Sequence, residues 1–372
     1  MCRRQNSILT GPQRLRRQGL GMGTLRFLLA LSVAYGHLTK LPSFPSSDVA
    51  VQSFFVISGF YMALVLNEKY GLGSYWLFIS NRLLRLWPAY AVVLILSFAV
   101  ADNWRSIFAL NWLDVAFFVG SQILIVGQDL YLFLFVSNGT LAFTAHYTEV
   151  SAPLYTLAPI PQAWTLGLEI YFYVLAPFLV RRGPLFIAAM VAASLALRML
   201  LQGAFGLSGQ PWSFRFFPSE FALFMVGSLG YYAYASKNGA QRTLAKTLLS
   251  SAAALLFVAL AINRWDGISR LASLSLLGLV TVGVPKLFSV TKDIPWDKYL
   301  GELSYPIYIC HFLCGWILMP STLPVAYAAL LLSVVMSVAL YHLIDGPIDS
   351  WRQARLRKNE GTMAVGRLLP SV

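Results

Sequence analysis

LDVAFFVGSQILIVGQDLYLFLF, residues 113–135, is long enough to cross a bilayer, yet it contains Asp114, Gln122, Gln128 and Asp129. A membrane span needs about 20 predominantly apolar residues. Eleven apolar runs meet or approach that length, near residues 24–42, 49–67, 86–101, 113–135, 164–180, 184–201, 218–235, 243–262, 271–289, 303–319 and 323–343. They are continuous rather than alternating, so they read as helices; strands cross membranes only in closed barrels. The start of the chain, with Arg3, Arg4, Arg14, Arg16 and Arg17, and the tail WRQARLRK, residues 351–358, are both basic. The positive-inside rule assigns both to the cytosol. Eleven crossings would separate them, and the polar residues of 113–135 make it the run that re-enters or lies in the interface.

Ten crossings then remain. Lys69, Arg82 and Arg85 fall inside, as do Arg181 and Arg182, then Lys237, Arg242 and Lys246, and later Lys286 and Lys292. The expected fold is an all-α polytopic membrane protein, a bundle of about ten transmembrane helices with both termini cytosolic. A basic segment over 1–23 precedes a membrane domain over 24–347, and a basic tail over 348–372 is expected to be poorly ordered. Residues 136–163, polar and rich in Pro, Ser and Thr, are expected as an outside loop.

Composition points the same way. The 372 residues are 58% hydrophobic and 12% charged, against about 25% charged in soluble domains. The net charge of +13 is concentrated between apolar runs and at the termini, where it sets topology and attracts anionic lipid headgroups. No basic patch is interleaved with stacking aromatics, which argues against nucleic acid. Cys2, Cys310 and Cys314 form no disulfide framework, and the last two fall in an apolar run. KLPSFPSS follows the first apolar run without a small-x-small cleavage site, so that run reads as an uncleaved span.

Ionisable groups inside a membrane are functional candidates by default. Arg26 opens the first span and His37 follows eleven residues later, about 16 Å further along a helix. Arg26 also fits a snorkelling anchor, and His37 an interhelical hydrogen bond. Glu169 lies five residues into the run beginning at Trp164, at a depth that matches His37 if that helix starts outside; a carboxylate there would orient the imidazole. Arg82 and Arg85 are three apart, roughly on one helix face, and suit either topology or phosphate binding. In GELSYPIYICHFL, residues 301–313, Tyr305, Tyr308 and His311 place hydroxyls and an imidazole in an apolar run. No HExxH, CxxC, GxSxG or Walker spacing occurs, so no metal is expected.

Five of these stretches together resemble the membrane acyltransferase-3 family of bacterial O-acyltransferases. Arg26 with His37 matches its Arg-ten-residues-His signature. FFVISGF (54–60) matches Phe-Phe-x-x-Ser-Gly-Phe. NRLLRLWPAY (81–90) matches its basic pair followed by Arg-x-x-Pro. WTLGLEIYFYVLAP (164–177) resembles Trp-Ser-Leu-x-x-Glu, with Thr165 in place of the usual Ser. GELSYPIYICH (301–311) resembles Gly-x-x-Ser-Tyr-x-x-Tyr-x-x-His. They fall in the family's order across residues 24–347. Asp345 in LIDGP stands where Glu is common, and the chain resembles the stand-alone form without a fused hydrolase-like domain.

The resemblance implies acyl transfer from acyl-CoA, commonly acetyl-CoA, to a hydroxyl of a cell-surface glycan or lipid-linked glycan, in a bacterial inner membrane. A sugar hydroxyl is a poor nucleophile, and a His that takes its proton is worth about 10²–10⁴ in rate. His37 is the expected base, Glu169 its orienting partner, and Arg26 a ligand of the donor or of developing negative charge. Arg82 and Arg85 are candidates for the CoA phosphates; Ser58, Gly59, Trp164, Tyr305 and His311 are candidates for the substrate pocket. One tension follows: the donor is cytosolic, while His37 is placed toward the outside. The rival reading is a transporter or flippase using His, Glu and Arg as a proton relay, although no paired halves are visible.

Overall fold

The computed structural model describes residues 21–263 and 268–368, with side chains described up to residue 357; the arginines of residues 1–20 and Cys2 lie outside the described residues. Twelve α-helices follow one another: α1 (Met22–Thr39), α2 (Ser47–Glu68), α3 (Tyr75–Val100), α4 (Trp112–Leu124), α5 (Trp164–Leu179), α6 (Pro184–Phe205), α7 (Phe217–Ala235), α8 (Gly239–Asn263), α9 (Ile268–Thr291), α10 (Pro295–Leu318), α11 (Leu323–Leu340) and α12 (Gly346–Leu368). Among the described residues six helical stretches are long and apolar enough to cross a membrane: α2, α3, α6, α8, α9 and the continuous α11–α12. Helices α1, α5, α7 and α10 fall short because they are shorter or carry Arg26, His37, Glu169, Glu220, Asp297, Lys298 and Glu302. Three of these four build the site described below.

The run at 113–135 is not one helix. Helix α4 has 13 residues, about 20 Å at 1.5 Å per residue, short of the ~30 Å hydrocarbon core. It is followed by a 3₁₀ turn (Gln128–Leu132) and a two-stranded hairpin, β1 (Leu134–Ser137) with β2 (Thr140–Phe143). The polar residues that interrupt its apolar pattern all find partners here. Asp114 and Asn111 cap α4 reciprocally, with Asp114 N donating to Asn111 Oδ1 at 3.0 Å. Gln128 Nε2 donates to Tyr90 Oη (2.9 Å), Gln122 Nε2 to Tyr131 Oη (2.9 Å), and Asp129 Oδ1 accepts from Tyr171 Oη (2.9 Å). The segment over 136–163 is thus partly structured, and its Leu154 and Ala158 pack in a small separate core with Ile107, Phe118 and Tyr131 of the preceding stretch.

Close helix contacts set the bundle's centre. Helices α1 and α10 run parallel. Gly21, at the N-cap of α1, has no side chain to offer, and Asp297 of α10 takes its place, accepting from Gly23 N and Thr24 N at 2.8 Å each. Helices α2 and α7 cross at Gly59 and Gly227: a Cβ at either would lie 1.9 Å from the carbonyl oxygen of Phe224 or Val56. Only glycine permits such an approach, and small residues are the usual means of close packing between membrane helices.

The ends of α2, α5, α7 and α9 gather with the starts of α1 and α10 at one end of the bundle, which carries Lys69, Arg181 and Lys292. Arg181 is anchored there by Leu66 O and Tyr70 O, and Tyr232 Oη donates to Val180 O. This is called the basic end below. The tail departs from expectation: α12 continues from α11 through one π-helical turn (Tyr341–Asp345) instead of fraying. Its first turns are held against α3 by Arg355, which donates to Asn81 Oδ1 (3.2 Å) and Ser80 Oγ (3.0 Å).

Candidate active site

His37 is in the last turn of α1, exposed at the end of the bundle opposite the basic one. Its Nδ1 lies 2.9 Å from Nε2 of His311, on the neighbouring α10. The His311 ring is fully buried, and its Nδ1 lies 2.8 Å from the backbone oxygen of Tyr308. A carbonyl only accepts, so His311 Nδ1 carries the proton there. In a neutral ring His311 Nε2 is then the acceptor, and His37 Nδ1 donates to it. The remaining His37 Nε2 has its lone pair free. Phe312 packs on the His37 ring with centroids 5.0 Å apart.

A cavity of about 560 Å³ opens from the basic end, within the usual range of roughly 300–1,000 Å³ for cofactor-sized ligands. Lysines and arginines at its walls, seven in all, outnumber five carboxylates. It runs inward past Arg26, Arg82, Ser58 and Glu169 to Phe54, Thr165 and Tyr308. From Lys298 to Tyr308 is ten residues of α10, about 15 Å. At its inner limit Thr165 Oγ1 and Tyr308 Oη lie 2.9 Å apart. His311 is three residues beyond Tyr308, less than one turn, so the cavity stops just short of the imidazole pair.

Beyond that limit Arg215, from the α6–α7 connection, lies over the Trp164 ring at 4.6 Å, and its Nε is buried without a hydrogen-bond partner among the described residues. Sequence reasoning did not single out Arg215, because a lone arginine in a loop carries no periodic signal. Glu302 was likewise passed over, though it lies in a quoted motif. It forms an ion pair with Arg85 at 2.5 Å.

The expected site residues therefore divide. Glu169 does not orient His37. Its carboxylate accepts from Tyr173 Oη one turn along α5, and it lies in the cavity wall within electrostatic range of Arg26 and Arg82. The expected match in depth fails. Glu169 is four residues, about 6 Å, past Thr165, which already sits beside Tyr308 at the cavity's inner limit. Glu169 therefore lies with Arg26 toward the basic end, and α10 occupies the place beside His37. His311, expected to contact substrate, is instead the partner of His37. Arg26 lines the cavity, about 16 Å along α1 from His37, which puts it toward the basic end rather than beside His37. Arg85 is engaged by Glu302, whereas Arg82 has a buried Nε with no partner among the described residues. Ser58 and Tyr305 line the cavity, and Tyr305 Oη donates to Leu86 O at 2.5 Å. Gly59 belongs to the α2–α7 crossing, and Trp164 to the layer under Arg215. Among the described residues no group of three or more His, Cys, Asp or Glu is arranged to hold a metal.

An apolar helical bundle with a basic cavity entering from one end and an imidazole pair near its closed end defines an integral-membrane protein. Its family follows from comparison: the chain belongs to the acyltransferase-3 family, described as an acyltransferase domain, which matches residues 20–342. It is also similar to an uncharacterized protein of Aquifex aeolicus (strain VF5), 26% identical over 208 residues, covering 52% of this chain and 89% of the relative. No solved structure matches.

Proposed function

We propose that this membrane acyltransferase uses acyl-CoA, with acetyl as the transferred group, to esterify a hydroxyl of a cell-surface carbohydrate such as O-antigen or exopolysaccharide. In this reading ten helices cross the bacterial inner membrane, both termini are cytosolic, and the basic end faces the cytosol. One observation carries the proposal: a basic cavity ends less than one helical turn from an imidazole pair whose outer member keeps a free Nε2. This geometry also relieves the tension between a cytosolic donor and an outward base. The donor's pantetheine arm enters along the cavity, and the acceptor approaches His37 from the other side.

The chemistry then balances without a covalent enzyme intermediate. The acceptor hydroxyl attacks the thioester carbonyl as His37 Nε2 takes its proton. The tetrahedral oxyanion collapses, the C–S bond breaks, and the CoA thiolate recovers a proton from His37. The charge formed on His37 lies in the last turn of α1, at the negative end of the helix dipole, with His311 Nε2 accepting its Nδ1 proton. Arg26 and Arg82 hold the anionic donor, with Glu169 within electrostatic range of both. Gain from a positioned general base is about 10²–10⁴.

The test compares cells with wild-type protein, His37→Ala or no protein, with membrane levels matched, by NMR of extracted surface glycans. Ester-linked acyl signals confined to wild type support the reading. Equal signals with His37→Ala remove His37 as the base, and a solute that crosses without acyl-CoA consumption replaces the enzyme by a transporter.

A further inference from the structure

Helix α12 contributes to the donor cavity. Because Arg355 fastens it to α3, Asp349, Arg352 and Gln353 form part of the cavity wall at the basic end. Arg352 is only 7% exposed. Its Nη1 donates to Asp349 Oδ1 at 3.0 Å, and Gln353 Nε2 holds the other Asp349 oxygen at 2.6 Å. The Arg352 Nε is buried without an acceptor among the described residues, as is that of Arg82 on α3. Arg85 is answered by Glu302, so two guanidinium groups at one cavity keep unanswered donors. A buried donor without an acceptor is costly. Two of them beside like charges are best explained by an anion with several oxygens, for which guanidinium forks are suited.

We infer that Arg352 and Arg82 form a polyanion subsite and that α12, read from sequence as a tail, supplies one wall of it. On the acyl-CoA reading, on which this assignment of the ligand rests, the subsite takes the phosphate-bearing nucleotide end of the donor. The thioester points inward toward Tyr308.

Titration calorimetry on the full-length protein in lipid nanodiscs, with CoA, pantetheine and inorganic pyrophosphate as probes, tests this. Arg352→Gln is expected to weaken CoA by about tenfold or more, the loss of one or two charge-assisted hydrogen bonds, and to leave pantetheine, which has no phosphate, unchanged. Arg352→Lys is expected to recover part of the loss, and Arg82→Gln, which reaches the same oxygens from α3, to reproduce it if Arg352→Gln does not fold. CoA affinity unchanged in both Gln variants overturns the inference. Pyrophosphate binding that depends on Arg352, with no CoA binding by the wild type, retains the polyanion subsite and removes the acyl-CoA reading.

Discussion

His37 Nδ1 and His311 Nε2 are 2.9 Å apart although the residues are separated by 274 positions in the chain. The contact fixes which nitrogen of His37 is free, and on the acyl-transfer reading it gives His311 a positioning role. His311→Ala should lower kcat about ten- to a hundredfold, the scale of an ångström-sized misplacement of a reacting group. The donor KM should stay within about twofold, because the cavity ends before His311. His311→Gln, whose amide oxygen can accept from His37, should recover part of kcat. Steady-state kinetics on reconstituted protein checks the split; a loss confined to KM would place His311 in substrate binding.

Thr165 Oγ1 contacts Tyr308 Oη at 2.9 Å and donates to Gln162 O at 3.1 Å. Thr165→Ser keeps the hydroxyl and should leave activity within about twofold, whereas Thr165→Val removes one bond and leaves Tyr308 Oη only its 3.2 Å bond to Gln162 O, at a cost of about 0.5–1.5 kcal/mol. Thermal unfolding in detergent, run beside an activity assay, separates the two variants.

Arg85 and Glu302 form an ion pair with side chains about a fifth exposed (18% and 20%). Removing one partner from a fully buried pair costs about 3–5 kcal/mol. Here Glu302→Ala should cost less, about 1–3 kcal/mol, since both side chains keep about a fifth of their surface exposed. Arg85→Met combined with Glu302→Ala should restore part of the loss. A double-mutant cycle in melting temperature measures the coupling, and strict additivity would show that the pair contributes nothing.

Gly59→Ala should fail to accumulate as folded protein. Its methyl group would meet the Phe224 carbonyl oxygen at 1.9 Å, and two helix backbones must separate to admit it. Gly120→Ala in α4, where nothing lies within 4 Å of the added carbon, should be neutral or stabilising by a few tenths of a kcal/mol, up to about 1. Size-exclusion profiles of the two variants provide the comparison.

Much of the fold was legible because a bilayer imposes one-dimensional rules. Asp114, Gln122, Gln128 and Asp129 broke the apolar run at 113–135, and α4 stops at Leu124 accordingly. The start of α5 at Trp164 followed from the same reading. The expected tail did not hold, because Arg352 and Arg355 were counted only as topological charge, and their docking on Asp349, Asn81 and Ser80 has no signature in local composition. Glu169 shows the limit most clearly. Its place along α5 was counted correctly, but not the depth of that helix against α1: Glu169 lies toward the Arg26 end, bonded to Tyr173 on its own helix, with Arg26 and Arg82 nearby.

The sequence by itself determined that this chain is a helical membrane protein of the acyltransferase-3 kind. It also determined which ionisable residues enter the apolar runs, since length, hydropathy and spacing along a helix are properties of consecutive residues. Only the tertiary structure decided that His37 pairs with His311, that Glu302 answers Arg85, and that α12 closes one wall of the cavity. Depth along a helix can be counted from sequence. Rotation about its axis, and the choice of neighbour, are set by packing contacts such as Gly23 against Asp297 and Gly59 against Phe224, made between residues more than 150 positions apart.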